Sequence, residues 1–137
     1  MPETNDIAER LRQAASLPEI LAAGFDAFEA IRLVARDCQD RVPGLFAAFM
    51  TTADAAVEGR EAVTIAPSLP LDGGISPGDA MPTAADAGQT ADALAALAAV
   101  LRDRLTDAAT QADLPGDRTA CQDAAEAAGQ ICQLMTR

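Results

Sequence analysis

Apolar and polar residues alternate with a helical period over the stretch from Ser16 to Val42. Apolar or small residues recur there every three or four positions, at Leu17, Leu21, Gly24, Phe28, Ile31, Ala35, Cys38 and Val42. This spacing is typical of one face of a helix that packs against another helix. Ser16 and Glu19 have the spacing of a capping box, and a proline is tolerated in the first turn of a helix. The pattern therefore predicts a helix over residues 17–42.

The same period predicts more helices in the rest of the chain, over residues 5–15, 44–64, 84–112 and 117–136. The interval 65–83 contains four prolines and three glycines, which predicts a loop. The sequence thus predicts an all-α fold in one domain, residues 1–137. We expect a four-helix bundle of two antiparallel helical hairpins, with a short N-terminal helix and a Pro/Gly-rich crossover loop.

The break at Pro43-Gly44 has two interpretations. It is either a tight turn between two helices or a kink in one long helix, because Phe49 continues the apolar register beyond it. A proline inside a helix removes a backbone hydrogen bond and costs about 3 kcal/mol, which favours the turn. A second apolar-Pro-Gly triplet, ending in Pro115-Gly116, precedes the last predicted helix and also favours a turn.

The polar face of the helix over residues 17–42 is mainly acidic. Four acids fall opposite its apolar row on a helical wheel and are predicted to face solvent: Asp26, Glu29, Asp37 and Asp40. Leu33 lies among them, and Val100 falls on the acidic side of the helix over 84–112. Together with Phe25 these apolar residues would form a patch for another subunit or a partner helix. Phe25, Leu33 and Val100 are therefore the predicted interaction surface, although single apolar residues on a surface need no explanation.

Three arginines are candidate contacts for an anionic ligand. Arg32 and Arg36 lie at the edge of the first apolar face, and Arg60 projects onto the apolar face of the next helix. That face is broad and is predicted to be buried: Leu45, Phe46, Phe49, Met50, Ala53, Ala56, Val57 and Val63. A ligand pocket would lie between Phe28, Phe49 and Met50, with Arg60 or Arg32 pointing in. Alternatively, the arginine stems only cover apolar surface while their head groups pair with acids.

Composition and charge exclude several classes of partner. The chain is 50% apolar with only 4 Phe and no Trp or Tyr, and alanine, the best helix former, is its commonest apolar residue. It has 21 acidic and 10 basic residues, all of them arginine, and a net charge of −11. Such a charge repels phosphate backbones and anionic lipids, so we expect neither nucleic acid nor a membrane as partner.

The N-terminal residues lack the basic and apolar regions of a secretory signal, and no apolar run is long enough to span a bilayer. The three cysteines, an odd number, fit reduced thiols better than a disulfide framework. We therefore expect a cytoplasmic protein.

Residue types needed for catalysis are missing. The chain has no histidine, lysine or tyrosine, which excludes Ser-His and Cys-His nucleophiles and the usual Glu-x-x-His di-iron site. We predict no catalytic residue, no metal site and no cofactor. The cysteines are interpreted as small core residues, with a redox pair or a thiol-based sensor as the alternative.

The sequence favours a non-enzymatic protein-interaction or regulatory module, acting through helix faces and an acidic surface. Its partner would be another protein or a second copy, since the small residues on the last helix allow close helix packing in a homodimer. The alternative is a helical-bundle binder of a small anionic ligand through an inward-facing arginine.

Overall fold

The computed structural model describes residues 4–70 and 87–136, which are helical almost throughout and contain no strand. Five α-helices follow one another: α1 Thr4–Gln13, α2 Leu17–Arg41, α3 Phe46–Ile65, α4 Ala87–Gln111 and α5 Pro115–Met135. The predicted all-α fold is confirmed, and the helix ends that can be compared lie within two residues of the predicted ones. The predicted start of the third long helix at residue 84, and residues 71–83 of the predicted loop, lie outside the described residues.

A capping box starts α2, as the sequence predicts. The Oγ of Ser16 accepts a hydrogen bond from the backbone N–H of Glu19 at 3.3 Å. The carboxylate of Glu19 in turn accepts one from the backbone N–H of Ala15 at 3.0 Å. Pro18 lies in the first turn of the helix, where backbone donors have no intrahelical partner. Local sequence is therefore sufficient to fix where α2 begins.

Pro43 lies in a turn between two helices. A short 3₁₀ turn, Pro43–Leu45, separates α2 from α3. The backbone N–H of Val42 donates a hydrogen bond to the carbonyl oxygen of Cys38 at 2.9 Å and closes the last turn of α2. Because α2 and α3 then pack along each other, they form an antiparallel hairpin and not one kinked helix.

The two hairpins pack so that α2, α3, α5 and α4 follow one another around the bundle, with α1 lying over α2 and α4. Ser68, just after α3, donates its backbone N–H to Asp117 in the first turn of α5 at 3.0 Å. Phe49 of α3, Ala91 of α4 and Met135 of α5 line one cavity at the other end. Hence α3 and α4 both start at the end of the bundle where α5 finishes.

The core fills the space between the helices. Its largest fully buried side chains are Phe28, Phe49, Leu11, Ile20, Leu21, Ile31, Leu94, Leu97, Leu101, Leu105, Ile131 and Val34. Many of the remaining buried residues are alanines, and such small side chains let helices approach toward the lower end of the usual range of about 8–10 Å.

The acidic face of α2 is not exposed along its whole length. Asp26 is only 5% exposed, and its carboxylate lies 2.7 Å from Nη1 of Arg10 on α1. Arg104 of α4 also holds α1, because it donates hydrogen bonds to the carbonyl oxygens of Leu11 and Ala14. The prediction that Asp26 faces solvent is therefore wrong. A helical wheel of α2 alone does not show that α1 docks over this part of it.

Candidate functional site

The start of α3 is apolar on all sides. Residues 45–50 read Leu-Phe-Ala-Ala-Phe-Met, and a helical segment that is apolar all round is normally buried. Phe49 is buried, but Leu45 is 41% exposed, Phe46 45% and Met50 39%. We call these three exposed side chains, Leu45, Phe46 and Met50, the α3 surface.

The prediction that all of these residues face the core is wrong for the α3 surface. Neighbouring residues point about 100° apart around a helix, so Met50 points well away from the buried Phe49. At this end of the bundle the helices beside α3 cover only one part of its circumference. The sequence feature that could have shown this exposure is the breadth of the apolar face, which is wider than the stripe that a bundle helix normally buries.

A cavity of about 500 Å³ lies beside the α3 surface, and we call it the end groove. Its walls come from α3, α4 and α5: Leu45, Ala47, Ala48, Phe49, Thr51, Gly88, Ala91, Asp92, Leu134 and Met135. Leu45 belongs both to the α3 surface and to the end groove. Among the described residues of the lining, Asp92 is the one that carries a charge, and it is exposed. The end groove is therefore an apolar depression with one carboxylate at its edge, in the size range of ligand pockets.

The predicted interaction surface is less accessible than expected. Phe25, Leu33 and Val100 are each half-buried, and Phe25 and Val100 pack against the core. Leu33 follows Glu29 by one turn on α2, and Glu29 is bound to Arg60 of α3. Leu33 therefore lies on the side of α2 that faces α3, toward the end of the bundle that carries the α3 surface.

Two of the predicted ligand contacts, Arg32 and Arg60, meet at Glu29. Arg32 donates hydrogen bonds from Nε and Nη2 to the two carboxylate oxygens, each at 3.0 Å, and Arg60 donates from Nη1 to Oε1. Burial raises the pKa of Glu29, but the hydrogen bonds and charges of the two arginines outweigh it, and the pKa is lowered overall. The hydrogen bond to Glu29 raises the pKa of Arg32. Both guanidinium groups are thus engaged with a carboxylate of the protein itself.

None of the described cavities is lined by Phe28 or Met50, which were predicted to form a pocket together with Phe49. Phe28 and Phe49 are core residues, at 0% and 1% exposure, whereas Met50 is exposed. Arg36, the third predicted ligand contact, lies on the surface of α2. None of the three arginines lines the end groove.

The three cysteines are free thiols in protected positions. Cys38 and Cys121 are buried and Cys132 is half-buried. Burial raises the pKa of all three thiols, that of Cys121 to about 11. Because the thiolate is the reactive form, these thiols are weak nucleophiles at neutral pH.

Within residues 4–70 and 87–136, no group of three or more Cys, Asp or Glu residues could hold a metal ion. None of the helices described there combines the length and the apolar character needed to cross a membrane. Comparison of the chain with protein-family models, with curated proteins and with solved structures finds no match. The α3 surface and the end groove are therefore identified from geometry alone.

Proposed function

We propose that this protein is a non-enzymatic interaction module whose α3 surface binds a partner protein. The observation that carries the proposal is the exposure of Leu45, Phe46 and Met50 at a helix start that is apolar all round. A single exposed apolar residue is ordinary. Neighbouring large ones on one helix turn favour a surface that is covered when the protein functions.

The end groove supplies the second element of such a surface. Binding energy in protein interfaces is concentrated in a few large side chains that fill well-packed pockets. A partner that covers Leu45 would reach the end groove directly, because Leu45 forms part of its wall. The protein would thus bind through an apolar anchor in the end groove and through contact with Phe46 and Met50.

The remaining parts of the proposal concern charge and location. A net charge of −11 keeps the free protein dispersed and disfavours nucleic acids and anionic membranes as partners.

A second copy of the chain is the competing occupant of the α3 surface, in a homodimer that uses the same surface on both subunits. We place the protein in the cytoplasm, where its three thiols stay reduced.

One observation favours the alternative, the binding of a small anion. Arg32 and Arg60 share the single carboxylate of Glu29, which leaves one positive charge in excess. The described cavities do not open onto either arginine. The excess charge supports anion binding by these arginines. Because neither arginine lines a described cavity, this function ranks second to the binding of a partner protein.

Affinity capture with three forms of the full chain tests the proposal. The forms are the wild type, the double variant Phe46→Ser/Met50→Ser, and Ile65→Ser as the control. Ile65 is the matched position because it lies on the same helix and is 76% exposed. Proteins retained from a lysate of the source cells are identified by mass spectrometry and purified, and their Kd for each form is measured.

We expect one partner to bind the wild type and Ile65→Ser alike, and the double variant about 1,000-fold more weakly, as for the loss of two anchors of about 2 kcal/mol each. Equal binding by all three forms would contradict the α3 surface as the site. A melting temperature raised by phosphate, and no longer raised in Arg60→Ala, would favour the alternative function.

A further inference from the structure

We infer that the partner presents a cationic amphipathic helix, with an apolar side chain in the end groove and a lysine or arginine beside Asp92. This inference rests on the proposed function, because it takes the α3 surface to be a docking site. It adds the chemistry of the occupant, which the walls of the end groove and the distribution of charge around them indicate.

The apolar side chain of the partner is inferred from the shape and lining of the end groove. The end groove has a volume of about 500 Å³ and walls that include Ala48, Phe49, Ala91 and Leu134. It is therefore suited to one or two large apolar side chains. Helices that lie in such grooves use anchors spaced three or four residues apart. One anchor would fill the end groove, while a neighbour on the same face would pack on the α3 surface.

The positive charge of the partner is inferred from the charges on α3 and α4, the two helices that start at this end of the bundle. No basic residue occurs in α3 before Arg60 or in the described part of α4 before Arg102, whereas these stretches carry Asp54, Glu58 and Asp92. All three acids are exposed. Among the described residues of α3 and α4 near the groove, a cation on the partner would therefore meet Asp54 and Asp92, and it would lie closest to Asp92 in the groove wall.

The end of α2 adds no net positive charge to this end of the bundle. Its last arginine, Arg41, is held by Asp37 at 2.7 Å, so this cation is already paired. Asp40, between them, is exposed. The overall charge of −11 would also draw a basic partner toward the protein at long range and raise the rate of association.

The same charges disfavour the other occupants. A second copy would bring its own Asp92 and Asp54 to the contact, and like charges placed together oppose binding. An anionic lipid surface would be repelled for the same reason. A basic helix is the partner for which both the apolar walls and the acidic edge are favourable.

Fluorescence anisotropy with three designed peptides tests the inference on the full chain. The first is an 18-residue fluorescein-labelled helix of leucine and lysine, with leucine at every third or fourth position. The second has glutamate in place of each lysine. The third has the composition of the first in an order without a helical period. Titrations are carried out in 150 mM NaCl to screen long-range attraction.

We expect the periodic leucine–lysine helix to bind at least about tenfold more tightly than either of the other peptides. Phe46→Ser/Met50→Ser should weaken it at least about tenfold, whereas Ile65→Ser should not. Asp92→Asn should weaken it about two- to fivefold, as for the loss of one exposed ion pair. Asp113→Asn removes an equal charge at the opposite end of the bundle and should have no effect.

Equal binding of the permuted peptide would overturn the inference, because it would show general attraction to an acidic protein. Tighter binding of the leucine–glutamate helix, or the absence of any peptide binding, would overturn it as well. The proposed function stands in those cases if the captured partner still depends on Phe46 and Met50. It fails on its own account if that dependence is missing. Concentration-dependent self-association that is lost in Phe46→Ser/Met50→Ser would instead assign the surface to a second copy.

Discussion

Gly59 of α3 lies against the ring of Phe28 of α2, so closely that no side chain fits at this position. A Cβ on Gly59 would lie 2.7 Å from Cδ1 of Phe28 and closer still to its Cε1 and Cζ. Phe28 is fully buried, and its ring cannot move aside without disturbing a closely packed core. Gly24 of α2 differs, because the nearest atom to a Cβ there is Cδ1 of Leu101 at 3.5 Å, an ordinary contact distance.

Gly59→Ala should therefore destabilise the protein. Overpacking of this kind typically costs about 1–3 kcal/mol, which exceeds the gain of about 1 kcal/mol that alanine brings to a helix. Gly24→Ala is the control and should leave stability unchanged or raise it by up to about 1 kcal/mol. Urea denaturation followed by circular dichroism measures both changes. A Gly59→Ala protein that is as stable as Gly24→Ala would contradict the packing described for α2 and α3.

The ion pairs of Glu29 should contribute to stability at neutral pH and not in acid. The pKa of Glu29 is lower in the folded state than its ordinary value of 4.5. The folded protein therefore holds the carboxylate form more strongly than the unfolded chain does, and this contribution is complete well above pH 4.5 and is lost as the pH falls below it. Glu29→Gln should destabilise the protein by about 1–3 kcal/mol at pH 7.

The measurement is the free energy of unfolding of wild type and Glu29→Gln between pH 7 and pH 3. The difference between the two proteins should shrink as the solution is acidified. Asp113→Asn, an exposed acid in the α4–α5 turn, should show little difference at any pH. A Glu29→Gln effect of the same size at pH 3 and pH 7 would show that the ion pairs are not its cause.

Alkaline titration should report on the buried thiols with little interference. The chain has no histidine, lysine or tyrosine, so cysteines are the only side chains that titrate between about pH 7 and pH 12. Burial, with the negative charge of Asp117, raises the pKa of Cys121 from 9.0 to about 11. The thiol form is therefore held more strongly by the folded state, and its contribution is complete below pH 9 and is lost as the pH rises to about 11.

We expect the unfolding free energy to be nearly constant from pH 7 to pH 8 and to fall above pH 9. Each thiol with a raised pKa adds a slope of up to about 1.4 kcal/mol per pH unit. Cys121→Ala should reduce the slope between pH 9 and pH 11, and replacement of all three cysteines should abolish it. A wild-type protein whose stability does not change up to pH 11 would contradict the burial of Cys121.

Asp117 should contribute strongly to the stability of the folded protein, although it is a buried acid. It is 1% exposed, and its carboxylate accepts hydrogen bonds from the backbone N–H of Ser68 at 3.0 Å and from its Oγ at 2.6 Å. It also lies in the first turn of α5, where a negative charge is favoured by the helix dipole. These contacts bind the segment after α3 to the start of α5.

Asp117→Ala should lower the free energy of unfolding by about 2–3 kcal/mol, because a charged acceptor and its two bonds are removed. Ser68→Ala keeps the backbone donor and should lower it by only about 1 kcal/mol. Thermal denaturation of both variants measures the difference. Equal destabilisation by Ser68→Ala and Asp117→Ala would contradict this prediction, because it would mean that the hydrogen bond from the backbone N–H of Ser68 to Asp117 contributes nothing.

The parts of the fold that depend on local sequence could be predicted, and those that depend on docking could not. Ser16 and Glu19 specify the start of α2, and Pro43 specifies the turn after it, because caps and turns involve residues close in sequence. The burial of Asp26 could not be predicted, since it depends on where α1 docks. The exposure of Phe46 and Met50 likewise depends on how many neighbours reach the start of α3.

The candidate site illustrates the same limit. The wheel placed Leu33 on the outside of α2 and Arg60 on the inside of α3, but it could not show that Glu29 would bind Arg60. The partner of a long polar side chain depends on the register between two helices. The predicted interaction surface was Phe25, Leu33 and Val100. The sequence feature that could have indicated the α3 surface instead is a set of apolar residues, Leu45 to Met50, that is too wide for one buried stripe.

In-cell photocrosslinking shows directly whether a partner protein covers the α3 surface. A photoreactive benzoylphenylalanine is placed at position 46, or at the exposed control position Ile65 on the same helix, and the cells are irradiated. We expect one discrete heavier product from position 46, containing a second protein, and no such product from position 65. No crosslink at position 46, or the same product from both positions, would contradict the binding of a partner protein to the α3 surface.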